Sequence, residues 1–388
     1  MDPEVFAVGC FDDGLIKVRV RDNLIEPAVE DILVGMCFAI TLCGVLGDRD
    51  VDVAGFSSGV LRGKDSSDFV LKYNRYIMNK LFFHLLRAAI GTEPFSGRSI
   101  TSDEWRALYR LSMVHGVTAV VFDFIRQLPK SEAPDRALLM EWLSAATAVE
   151  QTMRRMQVTS EMFAEEMKKR DIPVVVLKGM AFAMYYPNPL LRVCGDLDCY
   201  MMGKKEEGDL AAVELGGKVE EAGYKHSHLI YKGLTIENHR FFTDFDNTPT
   251  GIRTEQALGE LMQEAHIYIG GSKLCCPSVN FNALFLLKHA QGHFMDEGIR
   301  MRHVLDWALF LKAKQQEVDW LRILPMLETT HTAQFAGLMT AIAIRHLHVD
   351  VHHEGLLALA EQAEPRMVDA VLADIMGEQP AIYVKGLW

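Results

Sequence analysis

The chain reads as an α/β core set between two helical regions. Three observations carry this. Residues 173–272 run strand, helix, strand, helix, strand, the alternation from which an α/β layer is built. Residues 76–170 and 277–388 place apolar side chains at helical spacing. The composition is that of a globular protein: 388 residues, 49% hydrophobic and 24% charged. That length supports two or three domains and a core that needs no disulfide staples.

Residues 1–75 form a small accessory module with no readable role. Residues 6–11 and 15–20 read as short strands around an Asp12-Asp13-Gly14 turn. Residues 32–47 are uncharged and mostly apolar, flanked by Glu30, Asp31 and Asp48. The run falls short of the ~20 residues that span a bilayer, so it reads as a buried helix. A Gly/Ser/Asp-rich linker covers residues 55–68.

The helical region of 76–170 begins with Leu81, Phe82, Leu85, Leu86 and Ile90 on one face. A helix over 104–115 opens at Ser102 and Asp103 without a full capping box, and a long amphipathic helix covers 137–169. The core, residues 171–275, starts with a strand over 173–177. Lys178-Gly179 follows, then a helix over 180–186 stopped by Pro187-Asn188-Pro189. A strand covers 197–202, a helix covers 209–222 with a Gly223 stop, and a strand or hairpin covers 231–242. Residues 276–388 carry helices over 280–293, 302–314, 320–329, 333–346 and 354–363, with Pro325 inside the third.

Charge and cysteine usage narrow the function. The net charge is −12, from 52 acidic and 40 basic residues. Such a chain is repelled by phosphate backbones, so no stable DNA binding is expected. The seven cysteines form no zinc-like CxxC pair, and Met1-Asp2-Pro3-Glu4 lacks the basic start of a secretory signal. The expectation is reduced thiols, a cytoplasmic setting and no membrane. Neither a phosphate loop with its Gly-Lys-Ser/Thr end nor a Gly-x-Ser-x-Gly elbow is present.

The stretch with chemical content runs from Leu177-Lys178-Gly179 to Gly195-Asp196-Leu197-Asp198. Asp196 and Asp198 are two apart on a strand, so both point to one face. Adjacent carboxylates repel unless they share a proton or a divalent cation. Mg²⁺ favours one or two protein carboxylates together with substrate phosphates. A strand-borne Asp-x-Asp is therefore a candidate platform for phosphoryl or nucleotidyl transfer.

Leu177-Lys178-Gly179, Tyr186, and Arg192 followed by Gly195-Asp196-Leu197-Asp198 resemble the signature of the polymerase-beta-like nucleotidyltransferase superfamily. The match is to its little-characterised branch with an LKG…Y…R…GDxD pattern, and it runs from about residue 80 to 324. The resemblance implies a mixed sheet carrying the metal carboxylates, with Mg²⁺ or Mn²⁺ as cofactor. It implies an NTP as one partner and an unidentified hydroxyl-bearing acceptor as the other: a small molecule, a protein or an RNA end. Asp196 and Asp198 match the two metal carboxylates, and Glu237 matches the third, as ligand or base. Lys178, Gly179, Arg192 and Gly195 match the phosphate-facing positions. The common Gly-Ser turn is replaced here by Lys-Gly-Met, and the interval from Gly179 to Asp196 is longer than usual.

His289 and His293 are four apart on a helix, hence on one face, a spacing that suits zinc. No glutamate completes a His-Glu-x-x-His motif. With His239 and Asp306 they are candidate substrate-side residues. His226, His228, His239 and the late group His346, His348, His352 and His353 otherwise read as surface histidines. Two alternatives stay open: a nucleotide-binding or regulatory protein without turnover, and a metal-dependent hydrolase centred on His289 and His293.

Overall fold

A computed structural model describes residues 17–18, 52–53, 63–96 and 99–377. The chain divides into two units, Met1–Lys80 and Leu81–Trp388. In the first, strand β1 (Lys17–Val18) pairs in parallel with β2 (Asp52–Val53). The expected Asp12-Asp13-Gly14 hairpin turn and the apolar run over 32–47 lie outside the described residues. Helix α1 (Gly63–Ile90) begins inside the stretch read as a linker.

The second unit is built on one mixed seven-stranded sheet. Its strands are β3 (Val175–Val176), β4 (Leu197–Tyr200), β5 (Lys218–Ala222), β6 (His226–Tyr231), β7 (Leu234–His239), β8 (Ile267–Tyr268) and β9 (Cys275–Cys276). Their order is β5-β6-β7-β4-β3-β9-β8. The β4/β7 and β3/β9 pairs are parallel and the others antiparallel.

Register explains why the sheet can carry a site. Asp198 lies opposite Glu237, and Tyr200 opposite His239. On the other flank of β7, His228 lies opposite Glu237, and His226 opposite His239. Period two therefore places His226, His228, Glu237, His239 and Asp198 on one face. The opposite face carries Leu197, Cys199, Leu229, Tyr231 and Ile236, all buried. Helix α4 (Arg136–Lys168) covers that side, with the Phe163 ring 5.2 Å from Tyr231. Helix α6 (Lys205–Glu214) covers it too: Asn238 Nδ2 donates to Lys205 O at 2.9 Å and Asp209 Oδ1 at 2.7 Å.

The flanking helices follow apolar burial and caps. Helices α2 (Ser102–Val114), α3 (Thr118–Ile125) and α4 precede the core. Helix α5 (Met180–Ala183) and a 3₁₀ turn lie within it, as does α7 (Pro249–Met262). Behind it come α8 (Val279–Asp296), α9 (Met301–Lys314), α10 (Trp320–Thr329), α11 (Ala333–Leu347), α12 (Glu354–Gln362) and α13 (Pro365–Ile375). None of the helices among the described residues is long and apolar enough to cross a membrane.

Several elements differ from the sequence expectation. The stretch read as one helix over 209–222 is helix α6 followed by strand β5. Gly216 sits at φ +81°, and a Cβ on Gly217 would fall 2.8 Å from Ala212 O and 2.9 Å from Ile230 O. The backbones approach too closely for any side chain, and the helix stops. Strand β5 is largely exposed, so burial left no alternation to read. Helix α2 does carry a capping box, but its cap is Thr101, whose hydroxyl accepts from Glu104 N while Glu104 accepts from Thr101 N. Helix α3 is apolar on most sides and so shows no stripe. Helix α7, capped by Thr248 with Pro249 in its first turn, sits in a stretch given no element.

Candidate functional site

A cleft of about 850 Å³ lies between the polar face of the sheet and helices α8 and α9. Lys178, Gly179, Gly195, Asp196, Asp198 and Glu237 line its sheet wall. His289, His293, Arg302 and His303 line its helical wall.

The turn after β3 is fixed by packing. Leu177 N donates to Asp198 O at 2.9 Å, tying the turn to β4. Gly179 sits at φ +58°, and a Cβ there would lie 2.4 Å from Cys194 Sγ. Both the backbone angle and the thiol demand glycine. The same thiol donates to Asp196 O at 3.2 Å, so the turn and the Asp196 loop are packed together. Gly195 is different. It is exposed, with no heavy atom within 4 Å of a Cβ placed there, so nothing among the described residues requires a glycine.

Tyr186, Arg192 and Asp306 form one buried anchor. Arg192 Nε and Nη2 donate to the two Asp306 oxygens at 2.8 and 2.7 Å, and Tyr186 Oη donates to Asp306 Oδ1 at 2.8 Å. Burial disfavours the Asp306 carboxylate, but the guanidinium outweighs it and holds the carboxyl below its usual range. This bidentate pair ties the loop entering β4 to α9. Asp306 does not line the cleft: it is 3% exposed, and its oxygens are taken by Arg192 and Tyr186. Arg192 reaches the cleft edge, but its bidentate edge faces Asp306 rather than open space.

Asp198 is the centre of the sheet wall. It is 4% exposed, and its Oδ1 receives Lys178 Nζ at 2.5 Å and His239 Nε2 at 3.1 Å. Burial raises its pKa, but Lys178 and then His239 outweigh burial and hold the carboxyl well below the usual range. Burial lowers the Lys178 and His239 pKa values, yet the neighbouring carboxylates leave both raised. His239 Nδ1 also lies 3.1 Å from Phe241 O. A carbonyl only accepts, and the carboxylate facing Nε2 only accepts, so the ring carries both protons. Asp196 is half-buried in the same cleft, and burial followed by the Asp198 and Glu237 charges pushes its carboxyl up.

Glu237 meets histidines on both sides. Its Oε2 is 3.4 Å from His239 Nε2, and its Oε1 is 3.8 Å from His226 Nε2 and 3.9 Å from His228 Nδ1. His226 and His228 approach Nε2 to Nε2 at 3.0 Å. These two are half-buried beside Glu237, and His239 is 1% exposed. They are not the surface histidines that the sequence suggested. Alternation along β6, with Ser227, Leu229 and Tyr231 turned inward, is the signal that pairs His226 with His228 on one face.

The donor set fits a hard divalent cation. Asp198 and Glu237 bring carboxylate oxygens within 4.8 Å of one another, and Asp196 lines the cleft beside them. His239, protonated on both nitrogens, offers no lone pair while it donates to Asp198. The Lys178 ammonium already occupies a cation's place on Asp198 Oδ1, at the end of a flexible stem.

The helical wall holds His289 and His293 from α8 and His303 from α9. Burial, and then the nearby Lys178, keeps His289 well below its ordinary pKa, and burial takes His303 down to about 3. Both rings are neutral near pH 7. The structure brings all of the expected site residues except Asp306 and His239 to the cleft wall; His239, 1% exposed, lies behind that wall with Nε2 3.1 Å from Asp198 Oδ1. It adds His226, Arg302 and His303, which the sequence reading did not select.

The family described as Uncharacterised nucleotidyltransferase matches the chain over residues 101–354. No curated protein and no solved structure matches it.

Proposed function

The chain belongs to this nucleotidyltransferase family, and from that premise we propose that it moves a nucleoside monophosphate from an NTP to a hydroxyl group, with Mg²⁺ or Mn²⁺ held at Asp196, Asp198 and Glu237. One observation carries the reading. Asp198 and Glu237 face one another on parallel neighbouring strands, in the cleft that the Lys178-Gly179 turn also lines.

The bound cation supplies charge stabilisation at the phosphate oxygens. The rest falls to the chain. Lys178 is held on Asp198 by a charge-assisted hydrogen bond and leaves it for the phosphates of an entering NTP. The Gly179 turn lets the backbone approach the triphosphate. Glu237 accepts the proton of the acceptor hydroxyl. The acceptor oxygen forms a bond to the α-phosphorus, the α–β bridging P–O bond breaks, and pyrophosphate leaves with that electron pair. His239 keeps Asp198 oriented by its bond to Oδ1. The Tyr186–Asp306–Arg192 anchor holds the loop that carries Asp196.

The test supplies α-phosphate-labelled NTPs with Mg²⁺ and candidate acceptors, including the chain itself and RNA ends. Label transfer with pyrophosphate release, abolished in Glu237→Gln, is the expected result. Retained transfer in Glu237→Gln overturns the role of that residue. A second reading, nucleotide binding without turnover, is favoured by the two cationic groups already on Asp198 Oδ1. Mg²⁺-independent NTP binding with no pyrophosphate release distinguishes it.

A further inference from the structure

We propose that the helical wall of the cleft is a second metal site, built from His289, His293 and His303, that takes a borderline divalent ion of the zinc type. It shares no residue with the carboxylate site of the sheet wall.

The geometry is that of a site nearly assembled. His289 and His293 are one turn apart on α8 and so share a face. His303, in the first turn of α9, meets them from the neighbouring helix. The ring centroids lie 4.5 Å apart for His289 and His293, 5.5 Å for His293 and His303, and 6.3 Å for His289 and His303. One ligand nitrogen from each lies within 4.8 Å of the others. A tetrahedral ion with Zn–N bonds near 2.0–2.1 Å holds its ligand nitrogens roughly 3.4 Å apart. Small side-chain torsions close that difference.

The outer contacts point the same way. His293 Nδ1 is 2.7 Å from Glu297 Oε1. The carboxylate accepts, so Nδ1 carries the proton and Nε2 is the free donor atom, the arrangement in which a carboxylate orients a metal-bound histidine. His289 makes no hydrogen bond among the described residues. His303 Nδ1 accepts the Arg300 N–H at 3.0 Å. That lone pair is the one a metal would take. Ligation turns the ring from the Arg300 amide to the ion, and no proton has to move. Three neutral imidazoles leave the ion its full double charge, with a fourth position open to the cleft. Arg302 and Lys288 line the same cleft, so an anionic ligand, hydroxide or a phosphate oxygen, matches the charge there.

Imidazole nitrogen suits zinc, whereas carboxylate oxygen suits Mg²⁺. Among the described residues, the other two groups able to hold an ion both contain Glu237. Glu237→Gln therefore removes both of them and leaves the histidine wall intact. The experiment titrates Zn²⁺ into the full chain by calorimetry, on wild type, Glu237→Gln and His289→Gln/His293→Gln, with a thermal melt for each. The expected result is one equivalent bound by wild type and by Glu237→Gln, and at least tenfold weaker binding by the histidine variant. Amide exchange at Arg300 should also rise when zinc binds. Absence of zinc binding by wild type, or its loss in Glu237→Gln with retention in the histidine variant, overturns the proposal. If the histidine variant does not fold, Co²⁺ on wild type decides. Intense visible bands of a tetrahedral nitrogen-ligated ion support the site, and the weak bands of an octahedral ion refute it.

Discussion

The sheet wall of the cleft sets the charged Lys178 and His239 against the Asp198 carboxylate, whereas the helical wall keeps His289 and His303 neutral. On the sheet wall the Asp196, Asp198 and Glu237 carboxylates stand against two cations, Lys178 and His239, with both cations drawn to Asp198. On the helical wall burial strips the proton from His289 and His303, and the Asp198 charge near the one and the Asp306 charge near the other are too weak to restore it. Both walls are desolvated. What separates them is whether an opposite charge arrives with the burial. A wall of compensated charges exchanges one cation for another at little cost. A wall of neutral imidazoles offers lone pairs.

The sharpest way to break this comparison is to remove the charge at its centre. Asp198→Asn should lower the rate of nucleotidyl transfer on the order of 10³-fold or more, since one preorganised electrostatic partner is commonly worth that much. A steady-state assay of pyrophosphate release measures it. Next comes the anchor that holds the two walls in register. Asp306→Ala leaves Arg192 buried and unpaired, and removing one partner of such a pair costs about 3–5 kcal/mol. Denaturant unfolding should show that loss. A shift under about 1 kcal/mol would mean that the pair is not what joins β4 to α9.

Acid should separate the walls further. His115 lies beneath α9, where its Nδ1 accepts the Met301 N–H at 3.4 Å and its carbonyl accepts from Arg302 N at 3.2 Å. Burial, and then Arg300, takes its pKa from 6.5 to about 4. The unfolded chain binds this proton first, so the stability is fully present above pH 6.5 and is lost as pH falls toward 4. The loss from this residue is about 3 kcal/mol. His115→Gln should flatten the fall in melting temperature over that interval. The smallest effect is expected at Gly195. Gly195→Ala should leave stability within about 0.5 kcal/mol, because its Cβ would meet open space. Gly179→Ala should destabilise clearly, with a left-handed backbone and the Cys194 thiol both opposed to it. A Gly195→Ala variant that melts normally but fails to bind NTP would show a ligand's close approach to that backbone.

The parts of the site legible in the sequence were those whose chemistry lies in local spacing. Asp196 and Asp198 two apart, Gly179 after an apolar strand, and Glu237 on a later strand all stand at the cleft. The parts that were not legible depend on register and tertiary approach. His226 and His228 become site residues because β6 pairs with β7 at Glu237, and no local feature reveals that pairing. Asp306 is a candidate only through the family resemblance, in which an acidic residue follows the histidines. It turns away because Arg192 and Tyr186 meet it inside the core. Helix α6 and strand β5 read as one helix in the sequence because the break lies in Gly216 and Gly217, where backbone approach rather than hydrophobic pattern ends the helix.

The most direct test of the central claim is calorimetric binding of each NTP, with and without Mg²⁺, on wild type and Asp198→Asn. The sheet-wall reading expects at least one NTP to bind wild type in a Mg²⁺-dependent way and the variant to lose that dependence. No binding of any NTP under either condition, or identical Mg²⁺-dependent binding by Asp198→Asn, would contradict it.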